Sequence, residues 1–219
     1  QQWAVRIGDA ADFGTLMTAP VASKDTVFAI TPDTMLTALD IADGSIRWSL
    51  PLEDRMDTTQ PSISGGLAYA DDRIYAHAGG HVVVSLDAAT GEELWRKDFD
   101  LPILGGPTVA GQFLAITDFD GRLIVLNAAN GDVLWSRIGN PETTRVLGVS
   151  SPAIAKNELI FAGNDAEVSA LDTNQGGFLW GDNLASLLPR TALDQINAIV
   201  GHPVHTGGMV FVGSISGRF

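Results

Sequence analysis

The sequence predicts an all-β fold, a β-propeller of four-stranded blades, and three observations carry that expectation. The first is a phrase, Ala38-Leu39-Asp40-Ile41-Ala42-Asp43-Gly44-Ser45-Ile46-Arg47-Trp48, that returns at Ser85–Trp95, Val125–Trp135 and Ala170–Trp180. In each copy the Asp or Asn, the Gly and the Trp keep the same offsets. The second is the period: the tryptophans at 48, 95, 135 and 180 are 47, 40 and 45 residues apart, and Trp3 lies 45 before Trp48. A period near 40 to 45 is that of a propeller blade. The third is a set of prolines, Pro20, Pro61, Pro107, Pro152 and Pro203, each opening an apolar strand. Short strands with turn signals and little helical periodicity agree with all three.

The elements follow in order. Trp3 ends an early copy. Thr26–Ile30 and Leu36–Leu39 are then a strand pair of the first full blade. The phrase itself reads as two strands joined by a tight turn, in which Asp or Asn and small residues lead to a Gly able to take positive φ. A strand buried on both faces by neighbouring blades should be almost continuously apolar, as His81–Val84 and Leu123–Leu126 are. The repeated Trp48, Trp95, Trp135 and Trp180, with Gly44, Gly91, Gly131 and Gly176, are expected to be structural. The Trp fills the wedge between blades while its N–H finds a carbonyl. Asp182–Leu188 is the one helical candidate. From Pro203 to Phe219 a further blade begins without its Leu-Asp and Trp. Residues 1–219 therefore read as a single partial propeller of about four and a half blades, a truncated chain whose open faces and edges favour aggregation.

Composition narrows the function classes. With 13 basic and 26 acidic residues the formal charge is −13, which opposes nonspecific nucleic-acid binding. The acids are scattered through turns. No apolar run of about eighteen residues suggests a transmembrane helix. Residue 1 begins in a strand-like segment, so a signal peptide or anchor is expected to have been removed already. The absence of cysteine leaves no disulfide framework and no thiolate chemistry.

Little in the chain suggests catalysis, a metal or a cofactor, and none is expected. His202 and His205, three apart at a strand start, point to opposite faces and make a poor pair of metal ligands. His77 and His81 flank the Gly79-Gly80 turn and read as loop residues. Asp118-Phe119-Asp120-Gly121 resembles the front of a calcium loop but lacks the remaining ligands, and a β-turn within a blade accounts for it. Gly105-Gly106 and Gly207-Gly208 lack the lysine and helix of a phosphate loop. Ser150-Ser151-Pro152 has no His or acid partner at a recognisable spacing.

The phrase Ala-x-Asp-x-x-x-Gly-x-x-x-Trp resembles the repeat of pyrroloquinoline-quinone-type propellers, giving PQQ-like blades of an expected eight. Two families share it: the quinoprotein dehydrogenases, and the BamB family of the outer-membrane β-barrel assembly machine. The chain is similar to the dehydrogenases in the blade repeat alone, with no matching cofactor segment. The resemblance to the BamB family extends over nearly all 219 residues, through Trp3-Ala4-Val5, Thr26–Trp48, Gly65–Trp95 and Arg145–Pro152. Trp180–Ala185, Ile199–Val204 and Ile215–Arg218 are similar to alphaproteobacterial members.

The resemblance implies a non-enzymatic scaffold at the periplasmic face of the outer membrane. It would bind a POTRA domain of BamA within the Bam complex, with unfolded outer-membrane proteins as a further partner. It implies membrane contact only through a lipid anchor that this chain lacks. The family's contact loops map onto Thr144, Arg145, Val146 and Leu147, and onto Ala198, Ile199, Val200 and Gly201. Both loops depart from the family pattern: Arg145 precedes the apolar pair, and the second loop lacks the expected aspartates. An apolar-plus-Arg loop suits an interface hot spot. Val146-Leu147 leading a strand into the core is the alternative. Two other functions stay open, a quinoprotein oxidoreductase and a periplasmic sugar- or polymer-binding propeller.

Overall fold

A computed structural model describes residues 3–7, 18–52, 65–138, 150–162, 166–184, 199 and 201–213. Among them every regular element is a strand. Four sheets of four antiparallel strands follow one another along the chain, each strand paired with its neighbour in sequence. The first holds β1 (Val21–Ala22), β2 (Thr26–Ile30), β3 (Met35–Asp40) and β4 (Ile46–Pro51). The second holds β5 (Gly66–Ala70), β6 (Arg73–His77), β7 (Val82–Asp87) and β8 (Glu93–Asp98). β9 (Thr108–Ala110), β10 (Phe113–Thr117), β11 (Arg122–Asn127) and β12 (Val133–Ile138) form the third. β13 (Ala153–Ala155), β14 (Glu158–Ala162), β15 (Glu167–Asp172) and β16 (Phe178–Asn183) form the fourth, and β17 (Val204–Thr206) pairs with β18 (Met209–Phe211). These are the blades of a β-propeller.

Contacts group the residues into two units, Gln1–Pro107 and Thr108–Phe219. In the first, Phe28, Leu36 and Ala38 of one sheet pack with Ile74, Ala76, Val84 and Leu86 of the next. In the second, Ala115, Leu123 and Val125 meet Leu159, Phe161 and Leu171. Ile160, Ala162, Val168 and Ala170 form a further cluster that includes Ile199. The third strand of every blade buries its four central residues. Both faces of these strands are covered, which is why their central residues are mostly apolar without alternation, the buried Thr37, Ser85 and Ser169 excepted.

Pro20, Pro107, Pro152 and Pro203 each stand immediately before the first strand of a sheet; Pro61 lies outside the described residues. A proline there forfeits no ladder hydrogen bond. Two expectations need correction. Asp182 and Asn183 are not the start of a helix but the end of β16, paired with Val168 and Glu167; residues 185–188 lie outside the described set. His77 is not a loop residue. It closes β6, and its ring is buried, 1% exposed.

The sequence also did not reveal a bulge that recurs between the third and fourth strands. Ala38 faces Trp48 but Leu39 faces Ile46, so Arg47 is left over. Leu94, Leu134 and Leu179 are left over in the same way in the other sheets. One extra residue on one strand bends it and re-aims the side chain beside it. Here that side chain is the repeated Trp.

Candidate partner-binding site

The frame of the site is the repeated turn. Asp40, Asp87, Asn127 and Asp172 each accept a backbone N–H two residues on through the side chain, at 2.8 to 3.0 Å. Their carbonyls accept the N–H of Gly44, Gly91, Gly131 and Gly176, each at 2.8 Å. All four glycines have φ between 69 and 76°. This left-handed conformation is cheap for Gly alone.

Three of these turns, those of Gly44, Gly91 and Gly176, are also seats for a Trp from the preceding copy. Trp3 Nε1 donates to Ile41 O at 2.9 Å, Trp48 Nε1 to Ala88 O at 3.1 Å, and Trp135 Nε1 to Thr173 O at 2.9 Å. In each pair the acceptor follows the turn Asp directly. The ring lies on the Gly: a Cβ on Gly44, Gly91 or Gly176 would come within 2.6 to 2.9 Å of Trp3, Trp48 or Trp135. Trp180 is 37% exposed. Trp95 contacts the Tyr75 ring, with centroids 6.1 Å apart.

The mapped contact residues fall in two segments. Thr144, Arg145, Val146 and Leu147 lie outside the described residues, as do Ala198 and Val200. Ile199 is fully buried against the sheet of β13–β16. Its side chain therefore belongs to the core. Gly201 is half-buried, and a Cβ there would approach Gly213 O to 3.4 Å.

The structure joins the two segments where they re-enter the described fold. Ser150 Oγ donates to Gly201 O at 2.9 Å, and Ser151 N–H donates to His202 Nδ1 at 3.0 Å. Residues fifty-one apart in sequence are thus clipped together twice. His202 is used as a hydrogen-bond acceptor, and Ser151 does have a histidine partner, reached through its backbone. No local signal in the sequence could have exposed this pairing.

The Asp118–Gly121 turn lies at the end of the third sheet where Arg122 pairs with Ile138, the last described residue before the first segment. This turn joins β10 to β11. Asp118 is buried and accepts the N–H groups of Asp120 and Arg122 at 3.0 and 2.9 Å. The Arg122 Nε lies 3.2 Å from its Oδ2. Burial nonetheless raises the Asp118 pKa, outweighing those donors and the Arg122 charge. Phe119 and Ile138 are exposed beside this pair. The local chemistry is apolar groups next to a guanidinium, a composition that suits protein contact. Among the described residues no three or more His, Asp or Glu side chains gather as a metal cluster would require.

A family model described as outer membrane protein assembly factor BamB matches residues 54–219. The BamB of Yersinia pestis is 24% identical over 220 residues, covering 99% of this chain and 56% of its own length. A quinohemoprotein alcohol dehydrogenase of Pseudomonas putida is 28% identical over 129 residues, 51% of this chain and 19% of that protein. Among solved structures, BamB from Moraxella catarrhalis superposes with a TM-score of 0.78 at 20% identity, over 91% of this chain and 58% of that one. The chain spans about half the length of the curated BamB relatives it matches.

Proposed function

The chain belongs to the family of outer membrane protein assembly factor BamB, and on that premise we propose that it is a non-enzymatic scaffold of a Bam complex. Its place is the periplasmic face of the outer membrane, and its direct partner is a POTRA domain of BamA. The observation that carries this reading is the double clip between Ser150-Ser151 and Gly201-His202. It ties Ser150-Ser151, which follow Thr144–Leu147 in sequence, to Gly201-His202, and so supports reading the two mapped segments, without the buried Ile199 side chain, as parts of one surface. Arg145 with Val146 and Leu147 supplies the Arg and apolar anchors that dominate interface energies.

Calorimetric titration with purified POTRA domains of the cognate BamA tests it. Binding is expected, weakened about tenfold or more by Arg145→Glu or Leu147→Ala, in line with hot-spot residues. The likeness to a quinohemoprotein alcohol dehydrogenase motivates a second arm, addition of pyrroloquinoline quinone with calcium. A redox-active complex without POTRA binding would replace the scaffold reading with an oxidoreductase.

A further inference from the structure

Asn130 is the one asparagine in the sequence that a glycine follows. The pair sits in the turn between β11 and β12, at the place that Asp43-Gly44, Thr90-Gly91 and Gln175-Gly176 hold in the other sheets. The backbone is shared: each Gly N–H donates to the carbonyl four residues before it at 2.8 Å, and each Gly has φ between 69 and 76°. What differs is the side chain before the Gly, and that difference decides which turn can react with itself.

Two hydrogen bonds hold the Asn130 carboxamide over its turn. Its Oδ1 accepts the Asp132 N–H at 3.1 Å, and its Nδ2 donates to Asp132 Oδ2 at 2.7 Å. A donor on the carbonyl oxygen leaves Cγ electron-poor and steadies the charge that builds on that oxygen during attack. Gly131 supplies the adjacent nucleophile, a backbone nitrogen with no Cβ beside it to hinder approach. Asn130 is exposed, so water reaches the same atoms.

We infer that Asn130 is a self-modification site, converted through a cyclic imide to isoaspartate and aspartate. Gly131 N bonds to Asn130 Cγ, the Cγ–Nδ2 bond breaks, and Nδ2 leaves as ammonia with the Gly131 proton. Water then breaks one of the two ring bonds of Gly131 N and returns a proton to it. Cleavage at Cγ leaves aspartate. Cleavage at the former peptide carbonyl leaves isoaspartate, with the main chain running through Cβ. The other three turns lack this chemistry. Thr90 has no carbonyl to attack, and Gln175 must close a larger ring. Asp43 holds its carboxyl below the ordinary value, chiefly through the Ser45 N–H, and an ionised carboxylate is a poor electrophile.

The Gly131 N–H bond to Asn127 O opposes the attack and must open first. One exposed backbone hydrogen bond slows the reaction by about two- to tenfold, a delay and not a block. The isoaspartate then undoes the turn. Asn127 N–H to Asp132 O and Gly131 N–H to Asn127 O, each 2.8 Å, close around residues 127–132. An added main-chain carbon widens both rings, and the new carboxylate stands beside Asp132, where like charges repel. This goes beyond the scaffold reading and does not depend on it.

The test is to hold the native chain at body temperature in mildly alkaline buffer, beside the same chain unfolded in urea, and to map digests of both over weeks by mass spectrometry. Isoaspartate is read separately, by methyl transfer from an isoaspartyl methyltransferase. The mass gain of deamidation is expected at Asn130 ahead of every other asparagine. Its rate should lie within about tenfold of that in the unfolded chain, with isoaspartate the larger product. Amide exchange at Asn127 and Gly131 should quicken in the aged sample. Asn130→Thr, which copies the turn of the second sheet, should show neither change. A native chain that stays intact at Asn130 while the unfolded chain deamidates would mean that the turn protects the pair, and would overturn the inference. So would an earlier gain at another asparagine, or aspartate formed without isoaspartate, which is direct hydrolysis with no ring. The outcome of the POTRA titration leaves this result untouched.

Discussion

Gly91 meets two requirements at one atom. Its φ is +75°, and a Cβ would stand 2.9 Å from Trp48 Cδ2. Gly111 has φ +54° with nothing within 4 Å of such a Cβ. Alanine at Gly111 therefore costs only the left-handed backbone, about 1 kcal/mol. Alanine at Gly91 adds overpacking against an aromatic ring, for a total of about 3 kcal/mol. Urea unfolding of both variants checks the difference, and equal losses would mean that the Trp seat contributes nothing. Trp48→Phe keeps most of the ring but loses the N–H to Ala88 O, at a cost of about 1 kcal/mol. The Gly was legible in the sequence as a turn residue. Its second role was not, because the ring arrives from 43 positions earlier and local turn chemistry carries no trace of it. The recurrence of one Trp and one Gly in every copy was the available signal.

At the scale of the element, strands and turns were readable because burial and Gly placement are local. The bulge was not, since it depends on which residues pair across two strands. It matters most in the first blade, where the left-over residue is Arg47 rather than Leu. Arg47 donates to Asp40 at 2.7 Å, to Asp25 at 3.1 Å and to Thr26 Oγ1 at 2.7 Å. The Asp40 pKa is lowered chiefly by Arg47 and then by the Ala42 N–H, whereas Asp25 is lowered first by Thr26 and then by Arg47. In Arg47→Leu the Asp40 pKa should rise more than that of Asp25. Carboxyl carbon shifts followed through a pH titration measure both, and no rise at Asp40 would refute the assignment. Stability should change little, because exposed ion pairs contribute little. The candidate contact segments rest on the family resemblance, and Thr144–Leu147, Ala198 and Val200 lie outside the described residues. Ile199 as a core residue was not, because an interface and a core draw on the same apolar side chains.

For the whole molecule the question is what acid does to a chain of charge −13. The Asp25, Asp40, Asp43 and Asp87 carboxyls are held below their ordinary value by hydrogen bonds. Their contribution is present above the unfolded pKa and disappears as pH falls through the lower folded one. Asp118, raised by burial, acts oppositely: the folded form takes up its proton first and regains stability as pH falls. All these changes belong to the carboxylate range. Above it the decisive group is His77, which the sequence disguised as half of a loop pair. Its Nε2–H donates to Gly105 O at 2.9 Å while Nδ1 accepts the Gly79 N–H at 3.2 Å, a neutral tautomer with no room for a second proton. Burial lowers its pKa from 6.5 to about 4. The unfolded chain therefore binds a proton first as pH drops below 6.5, and folding weakens progressively until about pH 4. The full loss is roughly 3 kcal/mol by the conversion of pKa shift to free energy. Urea midpoints between pH 7 and 4.5 should fall for the native sequence and fall far less for His77→Gln, which can still donate to Gly105 O without titrating. Parallel slopes for the two proteins would mean that the acid sensitivity comes from the carboxylates and not from this ring.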